Sequence, residues 1–82
     1  MISKEEDLLV CTMEECGELI QECSKLIRKG LPPQSTKELT DEVGDVLCLI
    51  RYLEDYGLIN KYAIEDRIEV KRQKLKKWSS FA

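Results

Sequence analysis

Along the first third of the chain, apolar residues recur at steps of three and four. Leu9, Met13, Cys16, Leu19, Ile20, Cys23, Leu26 and Ile27 fall on one face of a helix turning about 100° per residue. Ser3 with Glu6 three residues later forms a capping-box signature, so a helix is expected from there to about Lys29. Gly30 is a natural stop, and Leu31-Pro32-Pro33 cannot continue the helix. Ser35 with Glu38 repeats the capping-box signature, and Leu39, Val43, Val46, Ile50 and Leu53 carry a second helix to about Tyr56, where Gly57 ends it. Asn60 is a suitable N-cap for a third helix reaching about Trp78. No strand-like alternation, internal repeat or low-complexity segment interrupts this pattern. The expected fold is therefore all-α, an antiparallel bundle of three helices forming a single domain over residues 1–82. A chain this short buries only about 60–65% of the surface its unfolded form exposes. Its broad apolar stripes are expected to pair with a second copy, as a homodimer or homotetramer.

The polar positions are as patterned as the apolar ones. Cys11, Glu15, Glu18 and Glu22 line a stripe within roughly 60° of arc beside the apolar face of the first helix. Glu38, Glu42 and Asp45 line the flank of the second. Each stripe holds an acid pair one turn apart, Glu15 with Glu18 and Glu42 with Asp45, so the two carboxylates of a pair can converge. Facing each other across a helix hairpin, the pairs would crowd four like charges, a cost that a divalent cation removes. Oxygen-only ligation suits Mg²⁺ or Mn²⁺ rather than zinc or copper. The alternative is a solvated acidic face balanced by lysines. Gly17 and Gly44 lie one inside each acid pair, and a helix-interior glycine costs about 1 kcal/mol against alanine. That cost suggests a close backbone or ligand approach at both positions. On the third helix, Lys71 takes a slot in the stripe Ile64, Ile68, Leu75 and Trp78, flanked by Arg67 and Lys74. It either snorkels or points at an anion.

Charge sharpens this picture. Residues 1–45 hold eleven acids against five bases, and residues 46–82 hold five against eight. The acidic half suits cations and the basic half anions, and a metal–phosphate ligand would use both. The overall charge of −3 is not that of a nucleic-acid binder. Cys11, Cys16, Cys23 and Cys48 have no CxxC spacing and there is no histidine, which argues against structural zinc and for free buried thiols in a reducing compartment. No apolar run is long enough for a membrane span, and Met1–Asp7 lacks the apolar core of a signal peptide. A cytoplasmic protein is expected.

Glu14-Glu15-Cys16-Gly17-Glu18 followed by Asp41-Glu42-Val43-Gly44-Asp45 resembles the paired EExxE and ExxD signature of MazG-type proteins, the all-α NTP pyrophosphohydrolase superfamily. That superfamily includes dimeric dUTPases, dCTP pyrophosphatases and phosphoribosyl-ATP pyrophosphohydrolases. The resemblance spans nearly the whole chain, and its specific part is these ten residues. It implies Mg²⁺-dependent hydrolysis of an NTP or dNTP to the monophosphate and pyrophosphate, by water attack at the α-phosphorus. Glu15, Glu18, Glu42 and Asp45 would be the metal ligands, and Glu14 and Glu38 candidates for positioning or deprotonating the water. Lys71 and Lys74, with Arg67 behind them, would hold phosphates. Tyr52 and Leu49 could contact the base, or equally be core or interface residues.

The chain departs from the family in beginning almost directly with its first helix, where many members carry an extra segment that closes the base pocket. A second subunit would then complete the site, or the site would be open and permissive toward bases. Two other readings stand beside the hydrolase: a non-catalytic helical dimerisation module, and a regulator that binds nucleotide without turnover.

Overall fold

A computed structural model describes residues 3–30 and 35–82. The expected stop at Leu31-Pro32-Pro33 lies outside these residues. Among them the chain forms three helices and no strand: α1 over Lys4–Lys29, α2 over Lys37–Asp55 and α3 over Lys61–Trp78. None is long and apolar enough to cross a membrane.

The ends of the helices follow from local chemistry. The Glu6 backbone N–H donates to Ser3 Oγ at 3.1 Å and the Ser3 N–H to Glu6 Oε1 at 3.5 Å, closing the capping box on α1. At the other end Gly30 leaves the helix at φ 90°. The second capping box does not form. Ser35 Oγ accepts from the Lys37 N–H two residues on, at 3.3 Å, and Thr36 takes the N-cap position without a side-chain bond. A hydroxyl spent on the residue two along makes a local turn, so the helix begins after it. The C-terminus of α2 is a Schellman motif: the Leu58 N–H reaches the Leu53 carbonyl and the Gly57 N–H the Glu54 carbonyl, both at 2.9 Å. That closure requires Gly57 at φ 73°, a left-handed conformation costing roughly 1–2 kcal/mol with a β-carbon present. Asn60 Oδ1 then accepts from the Tyr62 and Ala63 N–H groups and starts α3.

Helices α1 and α2 pack on one another along their length. One end of their seam brings Lys4 and Leu8 beside Tyr52 and Tyr56, and the other brings Leu26 and Lys29 beside Ser35 and Leu39. Leu8, Leu19 and Leu26 of α1 and Leu39, Val46, Leu49 and Ile50 of α2 are half-buried, and among the described residues only Leu53 is fully so. Helix α3 packs hardly at all on this hairpin. The radius of gyration is accordingly 15.4 Å, where a compact chain of this length would measure about 12 Å.

This openness overturns the expectation of buried thiols. The thiols are free, but Cys16, Cys23 and Cys48 are exposed and Cys11 only half-buried. Gly17 and Gly44 also face open space: among the described residues an added Cβ would meet no atom within 4 Å, so no backbone of this chain makes the close approach. Both findings have one cause, a single chain that covers only one side of each helix. The apolar face of α1 in fact divides into two seams. Leu8, Leu19 and Leu26 turn toward α2, whereas Leu9, Met13, Cys16, Ile20, Cys23 and Ile27 form an outer seam of regular 4-3-4-3-4 spacing. On that seam Met13, Ile20 and Ile27 are 71%, 70% and 76% exposed.

Candidate metal centre

Halfway along the α1–α2 seam the two helices present acids to each other instead of apolar side chains. Glu15 of α1 and Glu42 and Asp45 of α2 bring one carboxylate oxygen each to within 4.8 Å of one another. The arrangement follows from helical spacing, since Glu42 and Asp45 stand one turn apart and Glu15 lies on the α2-facing side of α1, one turn from Cys11. Glu18 is exposed one turn farther along α1 and is not within this trio, though its charge reaches Glu42.

Glu42 is the most constrained of the group. The residue is half-buried, and its Oε1 is shut off from solvent with no hydrogen-bond partner among the described residues. The Glu15 carboxyl, close enough to share a proton with it, pushes Glu42 up to about 7, and burial and the charges of Glu15, Asp45 and Glu18 add to the shift. The orphaned oxygen and the raised value have one origin. Two ionised carboxylates are acceptors facing each other, and neither can donate until a proton binds between them. A divalent cation would satisfy the same oxygens without a proton. The donor set fits one: hard, anionic, all oxygen, and converging from two rigid helices.

An open groove of about 380 Å³ runs beside the trio, lined by its Glu15 and Asp45 together with Glu14, Cys11, Cys48 and Leu49. Continuing toward the N-terminus of α1, a second groove of about 360 Å³ shares Cys11 and Leu49 and adds Tyr52, Tyr56, Lys4 and Asp7. In the opposite direction the seam turns basic. A groove of about 210 Å³ holds Lys25, Lys29 and Lys37 with Glu22 and Glu38, and there Lys25 Nζ donates to Glu22 Oε1 at 2.9 Å. Hydrogen bonding to Glu22, with that carboxylate's charge, pushes Lys25 up, and Glu38 and Glu18 add to it.

The structure thus joins Glu15, Glu42 and Asp45, and sets Glu14, Leu49 and Tyr52 in or beside the same groove. Glu38 sits in the lysine-lined groove instead. Arg67, Lys71 and Lys74 are exposed on α3. Lys74 shares an open groove with Asp66, Glu69, Val70 and Trp78, none of which belongs to the acidic centre. Reading the sequence for chemistry passed over Lys25, although the signal was present. The stripe Cys11, Glu15, Glu18 and Glu22 steps by 4-3-4, and the next step of three lands on Lys25.

The family model for the MazG nucleotide pyrophosphohydrolase domain matches residues 3–77. No curated protein and no solved structure gives a match.

Proposed function

The chain belongs to the MazG nucleotide pyrophosphohydrolase domain family, and from that membership we infer that it hydrolyses nucleoside triphosphates, ribo- or deoxyribo-, to the monophosphate and pyrophosphate with Mg²⁺ as cofactor. The observation that carries this reading is the orphaned, half-buried Glu42 carboxylate gathered with Glu15 and Asp45. A cluster retained at such electrostatic cost is explained by a ligand that repays it. Glu15, Glu42 and Asp45, with Glu18 swinging in from the next turn, would hold the ion. An ion held there would supply charge neutralisation at the phosphate oxygens and help orient the triphosphate. Glu14 shares the groove with Glu15 and Asp45, so it is the better placed of the two free acids to take a proton from the attacking water. The water's oxygen bonds to the α-phosphorus, and the bond from that phosphorus to the bridging oxygen breaks, releasing pyrophosphate. Leu49 and Tyr52 offer an apolar and aromatic wall to the nucleoside.

A second copy of the chain completes the protein in this reading, giving an antiparallel bundle with a shared core. The outer seam of α1 supports it. Fully burying one large aliphatic side chain is worth about 1.5–3 kcal/mol, and Met13, Ile20 and Ile27 are all more than two-thirds exposed in the single chain. Assembly would also bring α3, with Arg67, Lys71 and Lys74, against a neighbouring hairpin. Sedimentation at micromolar concentration should show a dimer or tetramer, and Ile20→Asp should shift it to monomer. A parent chain that sediments as a folded monomer would refute this assembly.

The central test is pyrophosphate release from a panel of canonical NTPs and dNTPs, with Mg²⁺ and with EDTA. Turnover in Mg²⁺ and none in EDTA is expected. Failure on every nucleotide would leave a helical interaction module in place of an enzyme.

A further inference from the structure

We propose that Lys25 grips the outer phosphates of a bound nucleotide, so that the substrate lies along the α1–α2 seam with its nucleoside toward Tyr52 and Tyr56. The class of ligand rests on the pyrophosphohydrolase reading; the orientation and the residue rest on the order of groups along the seam. Tyr52, Tyr56 and Leu49 line one end, the acidic trio the middle, and lysines the other end. A nucleoside triphosphate carries the same order, with an aromatic base, an α-phosphate at the metal and an anionic tail. Laid the other way, it would put its tail beside two tyrosines with one lysine, Lys4, and one aspartate, Asp7, and its base among three lysines and two glutamates.

Of the three lysines at the tail end, Lys25 is the one built into the seam. Lys37 is held by Asp41 at 2.6 Å, with 79% of its side chain exposed, and Lys29 is exposed. The Lys25 side chain is 39% exposed, and its partner Glu22 only 13%. Side chains on a helix lean toward its N-terminus, which for Lys25 is the direction of the acidic centre. The bond to Glu22 fixes the ammonium about one helical turn from Glu18, roughly 5–6 Å along α1. Glu15 lies a further turn along, so the ammonium stands roughly 10 Å along α1 from the trio, on the scale of a metal-bound triphosphate chain ending in a hydrogen bond. The recorded bond to Glu22 uses one of the ammonium's three N–H donors and leaves two for a ligand. The hydrogen bond to Glu22 and the charges of Glu22, Glu38 and Glu18 hold the ammonium in its protonated form.

An ordinary surface pair at this spacing would tie the two residues together and do nothing else. Calorimetric titration of the intact chain with inorganic pyrophosphate in Mg²⁺ separates the two roles. Lys25→Gln and Lys25→Met, the second keeping the aliphatic stem should the first fail to fold, are expected to weaken pyrophosphate binding roughly tenfold or more. Lys25→Arg should stay within about threefold of the parent, because it keeps the charge and the donors. Glu22→Gln should bind pyrophosphate as tightly as the parent or more tightly, since it frees the ammonium. Equal weakening in Lys25→Gln and Glu22→Gln would reduce the pair to a structural one and overturn the proposal. So would unchanged binding in both Lys25→Gln and Lys25→Met, or a parent that does not bind pyrophosphate. Lys25-dependent binding without hydrolysis of any nucleotide would uphold this inference and sink the hydrolase. Hydrolysis indifferent to Lys25, with pyrophosphate binding indifferent as well, would do the reverse.

Discussion

Glu42→Gln is expected to lower metal-dependent pyrophosphate release at least about a hundredfold while leaving the metal-free fold as stable as the parent or more so. Losing a residue that merely supports a metal ligand typically costs about 10–100-fold, so losing one of the converging oxygens themselves should reach the upper end or pass it. Stability should move the other way because glutamine keeps the shape of the side chain and removes the charge. Its amide also supplies the N–H donor that the Glu15 carboxylate lacks. The opposed responses are the diagnostic part. A residue needed for packing loses activity because the fold loosens, and its melting temperature falls with the rate. Pyrophosphate release in Mg²⁺ and thermal melts in EDTA, on parent and variant together, give both answers. Activity within a few-fold of the parent would remove Glu42 from the site, and a lower melting temperature in EDTA would make its carboxylate a structural group.

The second large effect is on pH. Glu42 is expected to titrate near 4.5 in the unfolded chain and is held near 7 in the fold. Between those values the native protein keeps a proton that the unfolded chain has released, so raising the pH favours unfolding. This contribution to stability is fully present below about 4.5 and is lost as pH rises through about 7. Other carboxylates titrate over part of the same range, so the quantity to follow is the melting temperature of the parent minus that of Glu42→Gln, both in EDTA. It should decline across that window. Metal binding has the opposite slope, because the ligands must give up their protons first. Stabilisation by Mg²⁺ should therefore be small near about pH 5.5 and largest near about pH 8. A parent-minus-variant difference that is flat or rises through the window would mean that Glu42 is not pressed against Glu15 in solution.

Helix by helix, most of this structure could be read from the sequence, because helix caps and stops are local. Ser3 with Glu6, Gly30, Gly57 and Asn60 each act through atoms a few residues away, and each sits where its chemistry demands. Ser35 misled for the same reason. Its hydroxyl had two backbone partners within reach, and spacing alone cannot say which it takes. The acidic trio was legible because helical periodicity aligns Glu42 with Asp45, and a hairpin sets them against Glu15. Depth of burial was not. The seam through Met13, Ile20 and Ile27 looks like core on a helical wheel, and whether such a stripe faces its own chain or another depends on what lies opposite. The two glycines share that ambiguity, since their sequence signal marks a close neighbour without saying whose. Lys25 is not legible as a phosphate ligand from spacing, because a base that ends an acidic stripe has the same pattern as an ordinary surface ion pair.

The near-detachment of α3 has a consequence for how the molecule is made. Among the described residues almost every contact is either within a helix or between α1 and α2, which are close in sequence. Helices form in under about a microsecond and short loops close in well under that, so neither of these steps is slow. If the chain assembles as proposed above, the search that remains is for a neighbour, and its pace scales with how many copies share the volume. Expression level would then govern how fast the protein matures as well as how much accumulates, and a dilute pool would spend longer as half-covered hairpins.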